Sequence, residues 1–216
     1  MRTPIIISIQ AAVIATVFCM MTGTLLARFL LYRKKWQAVF DVICTLPMIL
    51  PPTVTGFLLL KFFGKSSAVG QWLDTIGISV IFSFTGVVIA SIVVAFPLMY
   101  RTILGAFLQV DEEILSVART LGISETRIFF RILLPNAREG MVAGAVLTFT
   151  RALGEFGATI MLAGNIPGRT QTVSISIYQA VLQGNDALAY RHVTIILTIS
   201  CICLTLMNAL MKRGQR

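Results

Sequence analysis

Apolar residues in this chain arrive in blocks separated by short polar stretches. Residues 5–27 and 75–100 carry no charged side chain at all. At about 1.5 Å of rise per residue, each block is long enough as a helix to cross a hydrocarbon core of about 30 Å. The same reading over the whole chain predicts five spanning segments, at residues 5–27, 42–60, 75–100, 140–163 and 193–211. The expected fold is an all-α polytopic membrane protein, one transmembrane domain over residues 1–216. A cleaved signal peptide is the competing reading of the first block. The block is too long for a signal h-region and leads to no small-residue cleavage site.

Local punctuation refines the segments. Pro4 suits the start of the first. The second holds Pro47, Pro51 and Pro52, and a proline inside a helix removes a backbone donor and costs about 3 kcal/mol. The freed carbonyls need partners within the protein or in a wet cavity. Thr53 and Thr55, beside the kink, are therefore either pathway residues or parts of a helix that is merely bent. Residues 101–138 form the longest polar stretch. Asp111-Glu112-Glu113 suits a helix start, Gly122 a stop, and Ser124 the cap of a second helix. Ile128, Phe129, Ile132 and Leu133 recur at helical spacing, and Pro135 is expected to end that helix. The prediction is a two-helix hairpin whose apolar face must be covered by the chain's own helices, by lipid or by a partner protein. Residues 173–184 are too short to span and read as an interfacial helix, either a docking element or a cap on the bundle.

Composition and charge narrow the class. Apolar residues make up 56% of the chain and charged residues 12%, which is not a soluble balance. The net charge of +9 would fit nucleic acid, but its distribution gives a membrane topology instead. Twelve basic residues fall on one side of the five-span arrangement: Arg28, Arg33-Lys34-Lys35, the five arginines from Arg101 to Arg138, and Lys212, Arg213 and Arg216. Five fall on the other side, Arg2, Lys61, Lys65, Arg169 and Arg191, with Arg151 inside a span. The positive-inside rule then places the N-terminus outside and the C-terminus in the cytoplasm. The four cysteines all lie in apolar blocks without metal-ligand spacing, and His192 stands alone at a helix entry. Gly64-Lys65-Ser66 looks like the end of a phosphate-binding loop, but Leu59 stands where that loop needs its first glycine. No metal site, catalytic cluster or nucleotide loop is expected, so the chain is read as a non-enzyme that cannot draw on ATP by itself.

Gly122 followed by Ile132-x-Leu134-Pro135 resembles the second half of the "EAA" loop of ABC importer permeases, a match strengthened by Ala118-Arg119-Thr120-Leu121-Gly122. In place of the family's Glu-Ala-Ala the chain has Ser116-Val117-Ala118. Leu46-Pro47 through Gly56, and Thr150-Arg151-Ala152-Leu153-Gly154-Glu155-Phe156-Gly157-Ala158-Thr159, resemble molybdate permeases. So does the turn Gly164-Asn165-Ile166-Pro167-Gly168-Arg169-Thr170-Gln171-Thr172. Sulfate permeases are similar up to Gly154-Glu155 and remain the rival within the family. The resemblance implies a type I ABC importer permease, a homodimer moving molybdate or tungstate through the inner membrane. It would work with a dimer of ATPase subunits, which bind ATP and Mg, and with an extracytoplasmic binding protein. It also implies that the ATPase is met by Glu113, Ser116, Ala118, Arg119, Leu121, Gly122, Ile132, Leu134 and Pro135, so a bulky residue at Gly122 is expected to abolish uptake.

An oxyanion with two charges needs a wet path lined by donors. Thr148, Thr150, Arg151 and Thr159, then Asn165, Thr170, Gln171 and Thr172, supply them. Arg151 and Glu155 are four residues apart and expected on one helix face. Either charge alone at mid-membrane costs about 2.5–3.5 kcal/mol, so they should pair or face water. Whether the pair fixes helix rotation or gates the path stays open at this point. Gly140 and Gly144 form a small-xxx-small pair, with a dimer seam as one place for it. A stand-alone secondary transporter would need ion-coupling groups, for which only Arg151 and Glu155 qualify.

Overall fold

The computed structural model describes residues 3–214, apart from the side chains of residues 34 and 210–214. Of the basic residues in the charge argument, Arg2 and Arg216 and the side chains of Lys34, Lys212 and Arg213 lie outside the described residues. Among the described residues the chain is helical, with no strand.

Helix α1 (Pro4–Leu31) begins where Thr3 Oγ1 accepts a hydrogen bond from the Ile6 amide and Pro4 occupies the first turn. Ile7, Ala11, Ala15 and Cys19 recur every four residues and are fully buried. Small side chains on that face let α5 (Phe84–Leu108) and α9 (Arg138–Leu153) approach closely, and Ala12, Ala15, Ala95, Ala152 and Leu153 meet in one cluster. A Cβ on Gly144 would stand 3.2 Å from Met99 Sδ, and one on Gly140 would overlap Ala106. That glycine pair therefore seats α9 on α5 within the chain, not at a dimer seam. The three helices α1, α5 and α9 are the core of the bundle.

Helices α2 (Lys34–Ile49) and α3 (Pro52–Phe63) are bent by 111° at Pro51, and α9 and α10 (Gly157–Ala163) by 58° at residues 154–156. Among the described residues three helices are long and apolar enough to cross a membrane, or up to five when each bent pair counts as one span. The bend of the second segment falls at Leu50–Pro51, while Pro47 is carried inside α2. The third span starts at Phe84 and not at residue 75. Thr75 ends a short helix, α4 (Ala68–Thr75), and Ser83 Oγ caps α5 by accepting from the Gly86 amide at 3.3 Å. Hydropathy alone could not separate that turn from the span, because Val80 and Ile81 in the turn pack into the core.

After α5 come α6 (Glu112–Thr120), α7 (Glu125–Ile128), a π-helical turn (Phe129–Leu133) and α8 (Leu134–Asn136). Pro135 does not end the helix. The π turn, in which the Leu134 amide donates to Phe129 O, carries the chain past the missing proline donor, and the break comes at Ala137. Ser124 occupies the N-cap position of α7 but its side chain makes no capping bond. Helix α11 (Val173–Leu182) is buried at Val173, Ile175 and Ala180, and the Val173 amide donates to Ser8 Oγ of α1 at 2.8 Å. It caps the bundle. The last helix, α12 (Asp186–Gly214), starts before residue 193, so His192 lies within it and is buried.

Candidate functional site

Two regions hold the residues singled out from the sequence. The first is the hairpin. Asp111 Oδ1 accepts from the Glu113 amide at 2.9 Å, fixing the start of α6. Ser116 Oγ donates to Glu113 O at 2.8 Å. Gly122 has φ of +74°, the left-handed value that ends a helix without a Cβ penalty, and its amide and that of Ile123 close the turn onto Arg119 O and Ala118 O.

One face of the hairpin belongs to the bundle. Leu115, Ala118, Ile128, Phe129 and Leu133 share a buried cluster with Leu30 of α1 and Met99, Tyr100, Ile103 and Phe107 of α5. Ile132 and Leu134 pack against the same cluster. Arg28 of α1 lies over the Phe129 ring at 4.2 Å. Arg119 donates to Glu125 Oε1 at 2.7 Å and to the Tyr32 hydroxyl at 2.9 Å, tying α6 both to α7 and to the α1–α2 turn. The bond to Glu125 raises the guanidinium pKa above its usual value. Both charges are substantially exposed, so the ion pair contributes at most about 1 kcal/mol. The apolar cluster is what holds the hairpin. The other face is open: Ile114, Val117 and Leu121 are spaced along α6 and exposed, Leu121 at 73%, with Phe130 also exposed. Pro135 is exposed as well.

The second region joins the two bent helix pairs. Helix α10 lies against α3. A Cβ on Gly56 would stand 2.7 Å from Met161 Cβ and 2.8 Å from Ala158 Cα, and one on Gly157 would stand 2.7 Å from Pro52 Cβ. Each glycine admits the other segment's backbone. Glu155, only 2% exposed, sits in the break after α9 and not on its helical face. One carboxylate oxygen pairs with Arg151 at 2.8 Å, and the other accepts from the Ala158 amide in the first turn of α10 at 2.8 Å. The pair therefore clamps the elbow between α9 and α10. Beside it, Thr55 and Thr159 are buried with unpartnered hydroxyls, as is Thr148 on α9. Thr53 is exposed. Thr150 bonds back to carbonyls of its own helix.

The loop after α10 has a different use for its polar residues. Thr170 is fully buried, accepts from the Ile166 amide at 3.0 Å and donates to Gly164 O, and so closes the turn on itself. Thr172 caps α11. Asn165 donates to Gln179 Oε1 at 3.2 Å, and with Gln171 it borders a small polar cavity of about 240 Å³. In this loop Thr170 and Thr172 hold the turn and cap α11, while Asn165 and Gln171 border the cavity.

Sequence reasoning missed one buried contact. The Tyr100 hydroxyl donates to Asp41 Oδ1 at 2.6 Å, joining α2 to α5. The signal was present: Asp41 is the sole acid between Trp36 and Leu60, and a carboxylate in an apolar run needs a partner. Starting the second span at residue 42 left it out. Among the described residues no group of three or more His, Cys, Asp or Glu side chains is placed to hold a metal ion.

Comparison with known proteins agrees with this architecture. The chain is 41% identical over 204 residues to a putative molybdenum transport system permease protein, YvgM, of Bacillus subtilis, covering 94% of this chain and 90% of the relative. It is 39% identical to the molybdenum transport system permease protein ModB of Escherichia coli K12, covering 93% and 89%. Its fold matches an inward-facing structure of the MetNI methionine ABC transporter with a TM-score of 0.74 at 17% identity, over 97% of this chain and 94% of that one. A bacterial alginate ABC transporter matches with the same TM-score over 97% and 77%. The family model described as the inner membrane component of binding-protein-dependent transport systems matches residues 5–216, and the chain belongs to that family of membrane permeases.

Proposed function

We propose that this chain is the permease subunit of an ATP-driven importer that carries molybdate or tungstate by alternating access. Two copies would pair with two ATPase subunits on the cytoplasmic side and receive the oxyanion from an extracytoplasmic binding protein. The N-terminus would lie outside and the C-terminus inside. In support of this sidedness, the hairpin, Arg28 and the α1–α2 turn meet at one end of the bundle. The permease performs no covalent step; ATP and Mg belong to the partner.

The observation that carries the coupling role is the two-sided hairpin. Its inner face is continuous with the cores of α1 and α5, and its outer face leaves Ile114, Val117 and Leu121 uncovered. An element packed into the bundle on one side and apolar on the other suits a partner whose closure must move the helices. The substrate assignment rests on the relatives named above and on the uncharged donors of the elbow and outer loop. Hydroxyls and amides can hold an oxyanion loosely enough to release it, and the Glu155 charge is occupied by Arg151 and the Ala158 amide.

The test is uptake into vesicles holding the permease with its ATPase and binding protein. Labelled molybdate should accumulate only with ATP, be displaced by tungstate and resist excess sulfate. Displacement by sulfate would reassign the substrate, and uphill transport without the ATPase would overturn the class. Leu121→Asp should uncouple transport while leaving the chain in the membrane. A bulky residue at Gly122 should likewise abolish uptake while leaving the chain in the membrane. A Cβ there meets no atom within 4 Å, so substitution costs only the left-handed backbone strain, about 1–2 kcal/mol.

A further inference from the structure

At the end of the bundle that carries the hairpin, helices α1, α2, α5 and α6 leave a groove of about 730 Å³. Leu31, Phe107 and Leu115 give it an apolar floor, of which Phe107 and Leu115 are buried. Its mouth carries Arg33, Lys35, Tyr32 and Trp36, all exposed. Glu112 is the one acid among the lining residues.

Three features select an occupant. A free oxyanion would be held by charge and donors and would gain nothing from an apolar floor. The position is right for a lipid: α1 has 28 residues, about 42 Å at 1.5 Å each, so its last turns extend beyond a hydrocarbon core of about 30 Å into the headgroup layer. Tyr and Trp at that depth, with Arg and Lys reaching outward, form the amphipathic belt that meets lipid headgroups. The charge also fits. Among the described lining residues two cations face one carboxylate, an excess of positive charge that suits a headgroup of net negative charge.

We infer that this groove binds one anionic glycerophospholipid, with its phosphodiester at Arg33 and Lys35 and its glycerol and upper acyl carbons on the apolar floor. The Tyr32 hydroxyl that borders the groove accepts a hydrogen bond from Arg119 of α6. An occupied groove therefore steadies the hairpin against the α1–α2 turn.

The chain has two tryptophans, so Trp72→Phe leaves Trp36 as its sole tryptophan. That protein is placed in phosphatidylcholine vesicles containing increasing fractions of brominated phosphatidylglycerol or brominated phosphatidylcholine, and Trp36 quenching is followed. Near a membrane surface each cation strengthens attraction to anionic lipid by about fivefold, and Glu112 offsets one of the two, so phosphatidylglycerol should be preferred by roughly fivefold. Arg33→Gln with Lys35→Gln should bring the two curves together, while Arg33→Lys with Lys35→Arg, which keeps both charges, should retain the preference. Superimposed curves in the parent protein overturn the assignment, as does a preference that survives the double glutamine change. Loss of phosphatidylglycerol quenching when the partner ATPase is added would mean that protein, not lipid, fills the groove.

Discussion

The clamp at the α9–α10 elbow makes an ordered prediction. Arg151→Ala leaves the Glu155 carboxylate, 2% exposed, with only the Ala158 amide. Removing one partner of a buried ion pair costs about 3–5 kcal/mol, because the other charge stays desolvated. Glu155→Ala strands the buried Ala158 amide, a loss of about 1–3 kcal/mol. It also frees Arg151, but that side chain is 33% exposed and can turn toward water, so its own contribution is small. The arginine change should therefore be the more damaging single substitution. The double change removes the stranded carboxylate and keeps only the amide penalty, so it should recover about 2 kcal/mol relative to Arg151→Ala. Thermal denaturation of the purified permease in detergent, run as a double-mutant cycle, reads this directly. If the two single losses simply add, or if Glu155→Ala is the worse of the two, the clamp is not holding the elbow.

Other outcomes follow from single contacts. Ala at Gly56 or Gly157 must push α3 and α10 apart, costing about 1–3 kcal/mol and lowering uptake. Gly105→Ala, where a Cβ meets nothing within 4 Å, should be neutral or slightly stabilising by melting temperature. Tyr100→Phe removes a 2.6 Å bond to a carboxylate across α2 and α5. It should cost about 1.5–3 kcal/mol, whereas Asp41→Asn keeps an acceptor and should cost less in the same assay. Ser116→Cys and Asn165→Cys, in a background without the four native cysteines, should be labelled by an impermeant maleimide from opposite faces of the membrane. Labelling of both from one face would reverse the proposed sidedness.

Much of this molecule is legible in one dimension because the bilayer imposes one-dimensional rules. A run of uncharged residues over 5–27 has few options in lipid besides a spanning helix, and α1 matches it to within a few residues. The hairpin was visible for a similar reason. Gly122 and the acids at 111–113 are local stop and start signals, and local signals do not depend on what packs nearby. Ser124 stands at the helix start that was expected of it, though without a side-chain cap bond, whereas Pro135 misled because the outcome there depended on neighbours. Phe129 and Leu133 are buried in the bundle cluster, which favours keeping that stretch helical through a π turn over stopping it at the proline.

What the tertiary structure alone decided are distances between segments far apart in the chain. That Gly56 and Gly157 open the way for each other's backbones, that Gly140 and Gly144 face α5 rather than a second copy, and that Asp41 meets Tyr100 all depend on how rigid helices stack. The Arg151–Glu155 spacing showed that the two charges would meet. It could not show that the helix breaks between them, because a carboxylate that caps the next helix and one that lies on the same helix have the same sequence separation. Hydropathy sets which segments enter the membrane, and close packing sets where each of them bends.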